Sequence, residues 1–513
     1  MIAVDSNTLL AVLPVAALAV LAMLVIVADI AWPNRDGLLT TIAAGGVAVI
    51  MALVVIVGPF EVFGAHVGLL TGPVEIFGGA YVRDSLTALL DLLMLSIALL
   101  TVLFGPDYLR PRALPVAEFS AMLFFAITGA MLISGARDLL LLFLALELLV
   151  LPGYMLAGFA KRDGLATEGA IKYFLLGSFS SAIFLFGLVL VFGYSGTTNI
   201  TEVATSITGV VGAAGLLALP PGLVLGLALL TTGAAFKIAA VPFHYWTPDA
   251  YQGSPTPVTG YLSVGPKVAA FALILRLFVE ALGGLKADWT PIVVVLAAVT
   301  MTYGNLVALT QDNIKRMLAY SSIAHTGYIL VGLAAFGAAP DGSPAESAGL
   351  FGVLFYSVAY SFMNLGAFAC VAALQRRPGV TSQIDTFSGL GRRSPGLGIL
   401  MTLFLLSLVG IPPLAGFWAK VYVILPALQV GGWLTLLAVL TMLNAAAAAF
   451  YYLRVVVVMY FREPREGAAP VAVGGATQAG LGLSAALTIA IGLIPPVTVA
   501  VIGVAEQAAR ALL

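Results

Sequence analysis

The apolar positions of this chain fall into long uninterrupted runs, not into short alternating segments. A helix that crosses a bilayer needs about 20 consecutive apolar residues, whereas the strands of a membrane barrel alternate over about ten. We therefore predict an all-α polytopic membrane protein with about 14 transmembrane helices. The candidate spans are approximately 8–30, 38–58, 84–105, 117–135, 138–160, 166–193, 222–243, 257–281, 289–310, 314–337, 348–375, 396–426, 432–461 and 472–504.

Composition supports this interpretation. The chain has 513 residues, of which 61% are hydrophobic and only 9% charged, while soluble domains carry roughly 25% charged residues. The longest connections, around 59–83, 194–221 and 376–395, are too short for a separate soluble domain. We predict a single membrane domain over residues 1–513.

Basic residues in the connections predict the orientation of the helices. Lysine and arginine are retained on the cytoplasmic side of short loops. Connections after even-numbered spans contain Arg83, Arg137 and Lys286. The larger set follows odd-numbered spans, which predicts both termini on the non-cytoplasmic side of a bacterial cytoplasmic membrane. This set is Arg35, Arg110, Arg112, Lys161, Arg162, Lys315, Arg316, Arg376, Arg377, Arg392, Arg393, Arg462 and Arg465.

Two spans contain helix-breaking residues. Span seven has Gly233 and Pro242 around a lysine, and span twelve has Pro412 and Pro413 before another. Proline frees backbone polar groups in mid-membrane, where they need protein or water partners. The alternative is an ordinary kink, because transmembrane helices tolerate proline and glycine.

The two predicted breaks lie five spans apart, and an odd offset inverts the orientation of a repeated unit. Such inverted repeats are found in many transporters. We predict a first repeat of helices 4–8 over residues 117–281 and a second of helices 9–13 over 289–461. Residues 1–116 then hold helices 1–3, and 472–504 form helix 14.

Ionisable side chains inside the apolar runs are the strongest functional signal. A charge at that depth costs at least ~2.5–3.5 kcal/mol by insertion scales, so it defaults to a functional interpretation. A lysine kept from water can also take and release a proton near neutral pH. The embedded residues are Glu147, Lys172, Lys237, Lys267 and Lys420.

Some of these residues have simpler explanations. Glu147 could be a protonated acid bonded to a neighbouring helix, and Lys172 could extend to the nearby interface. From the predicted span ends the two differ in depth by roughly 10 Å, so a direct salt bridge is not assured. His325 and His244 are possible relay groups that titrate near neutrality. Asp91 has no evident partner.

We expect no redox centre in this chain, although a haem bound by two histidines is formally possible. Cys370 is the only cysteine, and an iron–sulfur cluster needs four thiolates. The three histidines lie in unrelated segments, and no nucleotide-binding loop or nucleic-acid patch is evident. We expect no cofactor and no metal in this chain.

Several strings resemble a known family. They are EGAIKYFLLGSFSSA, FKIAAVPFHYWTPDAYQGSPTPVTGYLSVGPKVAAF, NIKRMLAYSSIAHTGYILVG, FMNLGAFACV and SLVGIPPLAGFWAKVY. They resemble the N-subunit family of bacterial proton-translocating NADH:quinone oxidoreductase, respiratory complex I, over roughly residues 117–461. The sequence departs from the family pattern at Trp418–Ala419 and at the Pro220–Pro221 connection.

The resemblance implies how the embedded charges act. Glu147 and Lys172 would form a modulating pair, and Lys237 would be the central proton-carrying lysine. Lys267 would connect it onward, and Lys420 would end the row. The resemblance also implies flavin, iron–sulfur clusters and quinone in partner subunits, sister antiporter-like subunits as neighbours, and internal water along the row.

Two competing hypotheses remain at this stage. One is a cation/proton antiporter subunit that works from an ion gradient without redox input. The other is a structural spacer that conducts nothing, which leaves five embedded charges unexplained.

Overall fold

The computed structural model describes residues 6–211, 220–464 and 469–513, so Arg465 lies outside the described residues. Twelve of the described helices are long and apolar enough to cross a membrane, which confirms the predicted all-α membrane class. These helices are α1 (Ser6–Ala31), α2 (Asp36–Val57), α3 (Ser85–Leu109), α4 (Val116–Gly135), α5 (Leu139–Ala157), α6 (Gly164–Ser195), α10 (Thr256–Ile274), α11 (Lys286–Ala308), α12 (Ile314–Ala338), α13 (Pro344–Leu374), α17 (Trp433–Phe461) and α18 (Gly475–Leu493).

Spans seven and twelve are interrupted, as predicted. Span seven consists of α8 (Pro221–Lys237) and α9 (Trp246–Gly253), and span twelve of α15 (Pro395–Val409) and α16 (Ala415–Val430). Pro242, Pro412 and Pro413 lie in the interruptions. Gly233 does not: it lies inside α8 and packs against Phe184. The total of fourteen spans stays a prediction.

The connections contain more structure than the sequence indicated. The segment after α2 forms two antiparallel hairpins, β1 (Phe60–Val62) with β2 (Ala65–Val67) and β3 (Val74–Ile76) with β4 (Tyr81–Arg83). The predicted fourteenth span is divided between α18 and α19 (Pro495–Arg510), because Pro495 has no amide hydrogen to continue the helix. Further short helices are α7 (Ile200–Val211) and α14 (Leu390–Arg393), and a π-helical segment over Leu275–Ala281 extends α10.

One local pattern occurs twice, at the starts of spans five and ten. Asp138 caps α5 by accepting hydrogen bonds from the amides of Leu140 and Leu141, and its backbone forms an isolated antiparallel β-bridge with Asn199. Asn313 caps α12 in the same way, and its backbone forms an isolated antiparallel β-bridge with Gln383. Asp and Asn are strongly preferred at such positions because their side chains satisfy the free amides of the first turn.

The helices that carry Lys267 and His325, α10 and α12, lie in the middle of the bundle together with α13. The most apolar stretches of α10, α12 and α13 are wholly buried, whereas α1, α2, α6 and α17 expose most of theirs. Glycines allow the close packing that this arrangement needs: a Cβ on Gly327 of α12 would approach the Met301 amide of α11 to 2.5 Å. The central helices therefore carry polar side chains in an environment shielded by the outer ones.

Candidate functional site

Three lysines and one histidine are buried at the interruptions and on the central helices. Lys237 ends α8, Lys267 lies in α10, His325 in α12 and Lys420 in α16. Each is at most 7% exposed. We call these four residues the buried row. Among the described residues no carboxylate lies within salt-bridge distance of any member, so their ammonium and imidazole groups are held by neutral oxygens.

Lys237 is held where α8 ends. Its Nζ donates to Ser181 Oγ of α6 at 2.9 Å. The indole nitrogen of Trp246, at the start of α9, donates to the Phe236 carbonyl at 3.2 Å and ties the two half-helices together. Ala239 has a left-handed φ of +58°, a conformation that costs a non-glycine residue roughly 1–2 kcal/mol. The chain thus turns sharply just after the lysine.

A single threonine connects the interruption to the next lysine. Lys267 Nζ donates to Thr326 Oγ1 at 3.0 Å and to the Ser322 carbonyl at 2.7 Å. Thr326 Oγ1 in turn donates to the carbonyl of Ile238, the residue after Lys237, at 2.8 Å. The hydroxyl of Thr326 therefore joins Lys267 to the backbone that carries Lys237.

His325 lies between the second and third lysines and is within Coulombic range of both Lys267 and Lys420. Its ring nitrogens contact two tyrosine hydroxyls, Nδ1 with Tyr356 at 2.7 Å and Nε2 with Tyr452 at 3.3 Å. Every polar atom of the ring therefore has a partner that can donate or accept.

Lys420 completes the row from the second interruption. Its Nζ donates to the carbonyls of Leu408, at 3.0 Å, and Val409, which end α15. Carbonyls at a helix C-terminus lack intrahelical donors and carry partial negative charge, so they suit an ammonium. Gly410, with φ +92°, terminates α15 there, and a Cβ on it would lie 3.0 Å from Lys420 Cδ. Only glycine fits both requirements.

Glu147 lies at the edge of the row, half-buried in α5. Its charge acts on Lys237 and on Tyr154. One buried carboxylate oxygen, Oε1, has no hydrogen-bond partner among the described residues. The acid thus influences Lys237 through space and forms no ion pair with it.

Lys172 is not paired with Glu147, contrary to what the family resemblance implies. Its Nζ contacts Glu168 at 2.7 Å and Asp249 of α9 at 2.6 Å, and its side chain is 42% exposed. From the observed helix ends, Glu147 and Lys172 differ in depth by only about 3 Å. The two residues are separated because the Lys172 side chain points from α6 toward α9. A difference in depth does not separate them.

His244 is also outside the buried row. It lies in the first interruption, with its ring against Tyr245 at 4.7 Å and Tyr303 at 4.8 Å between centroids. Its Nδ1 is buried without a hydrogen-bond partner among the described residues. Its described contacts are aromatic and do not include a lysine of the row.

Sequence reasoning missed a buried ion cluster at the C-terminal end of α10. Arg276 is fully buried and donates to Asp84 at 2.8 Å and to Glu280. Asp91, for which no partner was evident, accepts from Arg83 and from Ser134 Oγ at 2.9 Å. The members come from distant sequence segments near helix ends, where an interfacial position is the simpler expectation.

A second missed set surrounds Asp249. This acid accepts from Lys172 and, at 2.7 Å, from Arg316 at the start of α12. Lys315 donates to the carbonyls of Gln252 and Ser254 at the end of α9. Asp249 stands in the string HYWTPDAYQGSPTPV, so proximity to the helix break was the available signal.

Across the described ranges, no three His, Cys, Asp or Glu side chains come together as a metal site would require. The chemistry that the site supports is proton transfer between amines, imidazole and hydroxyls.

Comparison with known proteins places this arrangement in a family. The family model described as NADH:quinone oxidoreductase/Mrp antiporter, TM matches residues 136–444. The chain is 43% identical over 423 residues to NADH-quinone oxidoreductase subunit N 1 of Koribacter versatilis, covering 82% of this chain and 80% of that protein. The chain belongs to the NADH-quinone oxidoreductase subunit N family.

Solved structures agree with membership of the subunit N family. A chain of respiratory complex I from Thermus thermophilus with bound aureothin superposes with a TM-score of 0.74 and 31% identity, covering 95% of this chain and 98% of that one. A chain of the Mrp complex from Dietzia sp. DQ12-45-1b gives a TM-score of 0.79 over 99% of this chain and 100% of that one, at 20% identity. The latter likeness shows a shared fold only.

Proposed function

We propose that this chain is an antiporter-like subunit of the membrane arm of NADH:quinone oxidoreductase and translocates protons along the buried row. The observation that carries the proposal is the placement of Lys237, Lys267 and Lys420 among neutral oxygens. Buried ionisable groups in membrane proteins mark proton and ion pathways. An ammonium held by hydroxyls and carbonyls can lose its proton without breaking an ion pair.

Hydroxyl groups beside the lysines would form part of a route between neighbouring members. Ser181 and Thr326 contact Lys237 and Lys267 directly, and Tyr360 donates to Ser322 Oγ at 2.8 Å beside the His325 ring. A hydroxyl both donates and accepts, so it can pass a proton onward. Internal water bridges the remaining intervals.

Glu147 modulates this row from its edge. Because its charge acts on Lys237, a change in its position or protonation alters the free energy of the lysine ammonium. Lys172 contributes indirectly, since it fixes Asp249 of α9 and thereby the half-helix that follows Lys237. His244 has a positioning role in the same interruption.

The inverted-repeat organisation forms part of this proposal. The matching breaks in spans seven and twelve, and the matching caps at Asp138 and Asn313, support repeats over 117–281 and 289–461 within one membrane domain. Each repeat would contribute one half-channel to the row. The loop charges support both termini on the non-cytoplasmic side of the inner membrane.

The chain is proposed to work without a cofactor of its own. Flavin, iron–sulfur clusters and quinone belong to partner subunits, and sister antiporter-like subunits and membrane lipids are its neighbours. Electron transfer in those partners drives the row through electrostatic and conformational coupling.

Capture of the chain from gently solubilised native membranes tests the assignment. Its companions are identified by mass spectrometry, together with flavin and iron content and quinone reductase activity. Flavin- and iron-bearing companions are expected. Companions that consist only of membrane antiporter chains, with sodium- or potassium-dependent proton exchange in vesicles, would support the cation/proton antiporter instead.

A further inference from the structure

Two adjoining cavities lie where α3 and α13 end and α15 begins, away from the buried row. The first has a volume of about 480 Å³ and is lined by Arg376, Arg377 and Arg393 together with Thr386 and Ser388. We call it the arginine pocket. Its position at the ends of membrane-spanning helices places it at the level of the membrane–water boundary.

The described residues that line the arginine pocket carry an excess of cations. Among the described residues that line it there are three arginines and no carboxylate. Arg376 reaches Asp107 at only 3.9 Å, and that acid already accepts from Gly474 and Thr477.

Within the described part of the chain, the hydrogen-bond acceptors of Arg393 are neutral oxygens, the carbonyls of Thr386 at 3.0 Å and Ala469 at 3.2 Å. Its Nε is buried without a partner among the described residues. Partial burial lowers the pKa of this guanidinium. An anion in the pocket would supply the missing acceptor and offset the burial of charge.

The second cavity is an apolar groove that continues from the pocket. It has a volume of about 420 Å³ and runs between α15 and α18, past Leu397, Leu400, Leu481 and Gly482. Arg393 lines both cavities. Gly482, which lines the groove on α18, is exposed on the outer surface of the bundle. The groove therefore opens on the lipid-facing side of the chain as described.

We propose that the arginine pocket and its groove bind one anionic phospholipid, with the phosphate among the arginines and an acyl chain along α15 and α18. The combination of a basic pocket with an apolar groove favours an anionic phospholipid over other classes of ligand. A soluble phosphate or an acidic peptide would use the cations but would leave the groove unexplained. A zwitterionic lipid would fill the groove without using the excess of cations in the pocket. Basic pockets between transmembrane helices on the cytoplasmic side bind anionic headgroups, and the loop charges predict that side here.

The test compares binding of phosphatidylglycerol and phosphatidylcholine with identical acyl chains to the intact purified complex. The headgroup variant is R376Q/R377Q, and its matched control is K161Q/R162Q, which removes two exposed charges from another connection after an odd-numbered span. The groove variant is G482F, with G503F of α19 as control. A Cβ at either glycine meets no atom within 4 Å, so both phenylalanines can be accommodated.

Distinct results are expected from the two variants. R376Q/R377Q should weaken phosphatidylglycerol binding about fivefold for each arginine removed, and it should leave phosphatidylcholine unchanged. G482F should weaken both lipids, and the controls should behave as wild type. The proposal is overturned if K161Q/R162Q weakens binding as much as R376Q/R377Q. It is also overturned if inorganic phosphate displaces phosphatidylglycerol fully while G482F has no effect, because that result identifies a site for a soluble anion.

Discussion

Thr326 offers the sharpest perturbation of the buried row because its hydroxyl accepts from Lys267 and donates to the Ile238 carbonyl. Thr326→Val keeps the shape of the side chain and removes only the hydroxyl. A hydrogen bond to a charged group contributes about 1.5–3 kcal/mol. If the transition state for proton transfer through Lys267 loses this stabilisation, the proton transfer slows roughly 10- to 100-fold.

The assay is dye-monitored proton uptake by proteoliposomes that contain the intact complex, with NADH oxidation measured in parallel. Pumping and coupled quinone reduction should fall together in Thr326→Val. Thr326→Ser, which keeps the hydroxyl, should pump close to the wild-type rate.

The matched control is Thr488→Val, which removes the hydroxyl of another fully buried threonine, on α18, that donates to the Ser484 carbonyl of its own helix. It should leave pumping unchanged. Wild-type pumping by an assembled Thr326→Val complex would refute the reasoning, because this hydroxyl joins Lys267 to the first interruption.

Three further changes test other contacts. Arg276→Met removes the buried arginine shared by Asp84 and Glu280, which leaves Asp84 with Thr87 and Glu280 with Arg137. It should destabilise the chain by about 3–5 kcal/mol, measured as a lower Tm or loss of assembly. Gly410→Ala forces a side chain into a left-handed position beside Lys420, at roughly 1–2 kcal/mol; pumping should fall in complexes that still assemble. Lys172→Ala should reduce pumping less than Lys237→Ala, because Lys172 is 42% exposed and lies outside the row.

Controls for these variants are available in the same chain. Arg162→Met removes an exposed arginine and should leave Tm unchanged. Gly193→Ala adds a Cβ that meets no atom within 4 Å, so it should be neutral. If Lys172→Ala abolishes pumping as completely as Lys237→Ala, the separation of Lys172 from the row is wrong.

The sequence predicted the membrane class, the two interruptions and the burial of Lys237, Lys267 and Lys420, though not the exposure of Lys172, for one physical reason. Polar atoms are so costly in hydrocarbon that each exception in an apolar run stands out. His325 could be singled out on the same ground, since it interrupts a run in α12. Their hydrogen-bond partners could not be predicted, because Thr326 and Ser181 are common residues whose importance depends on which helix faces them.

The Glu147–Lys172 pairing shows where spacing along a helix fails. Residue counting from the predicted span ends puts the two residues roughly 10 Å apart in depth, whereas the observed helix ends place them only about 3 Å apart. Residue counting also does not give the direction of a side chain around its helix, and Lys172 turns toward Asp249. The Arg276 cluster was missed for a related reason: Asp84, Asp91 and Arg276 lie near helix ends, where sequence cannot distinguish a buried partner from an interfacial charge.

The central claim is that protons cross this subunit through the buried row. Its most direct test is the number of protons pumped per NADH oxidised by proteoliposomes that carry the assembled complex with Lys237→Ala, compared with Lys161→Ala. We expect loss of pumping and slower coupled quinone reduction for Lys237→Ala, with Glu147→Ala affected in the same direction, and wild-type behaviour for Lys161→Ala. An unchanged proton count in a correctly assembled Lys237→Ala complex would contradict the account.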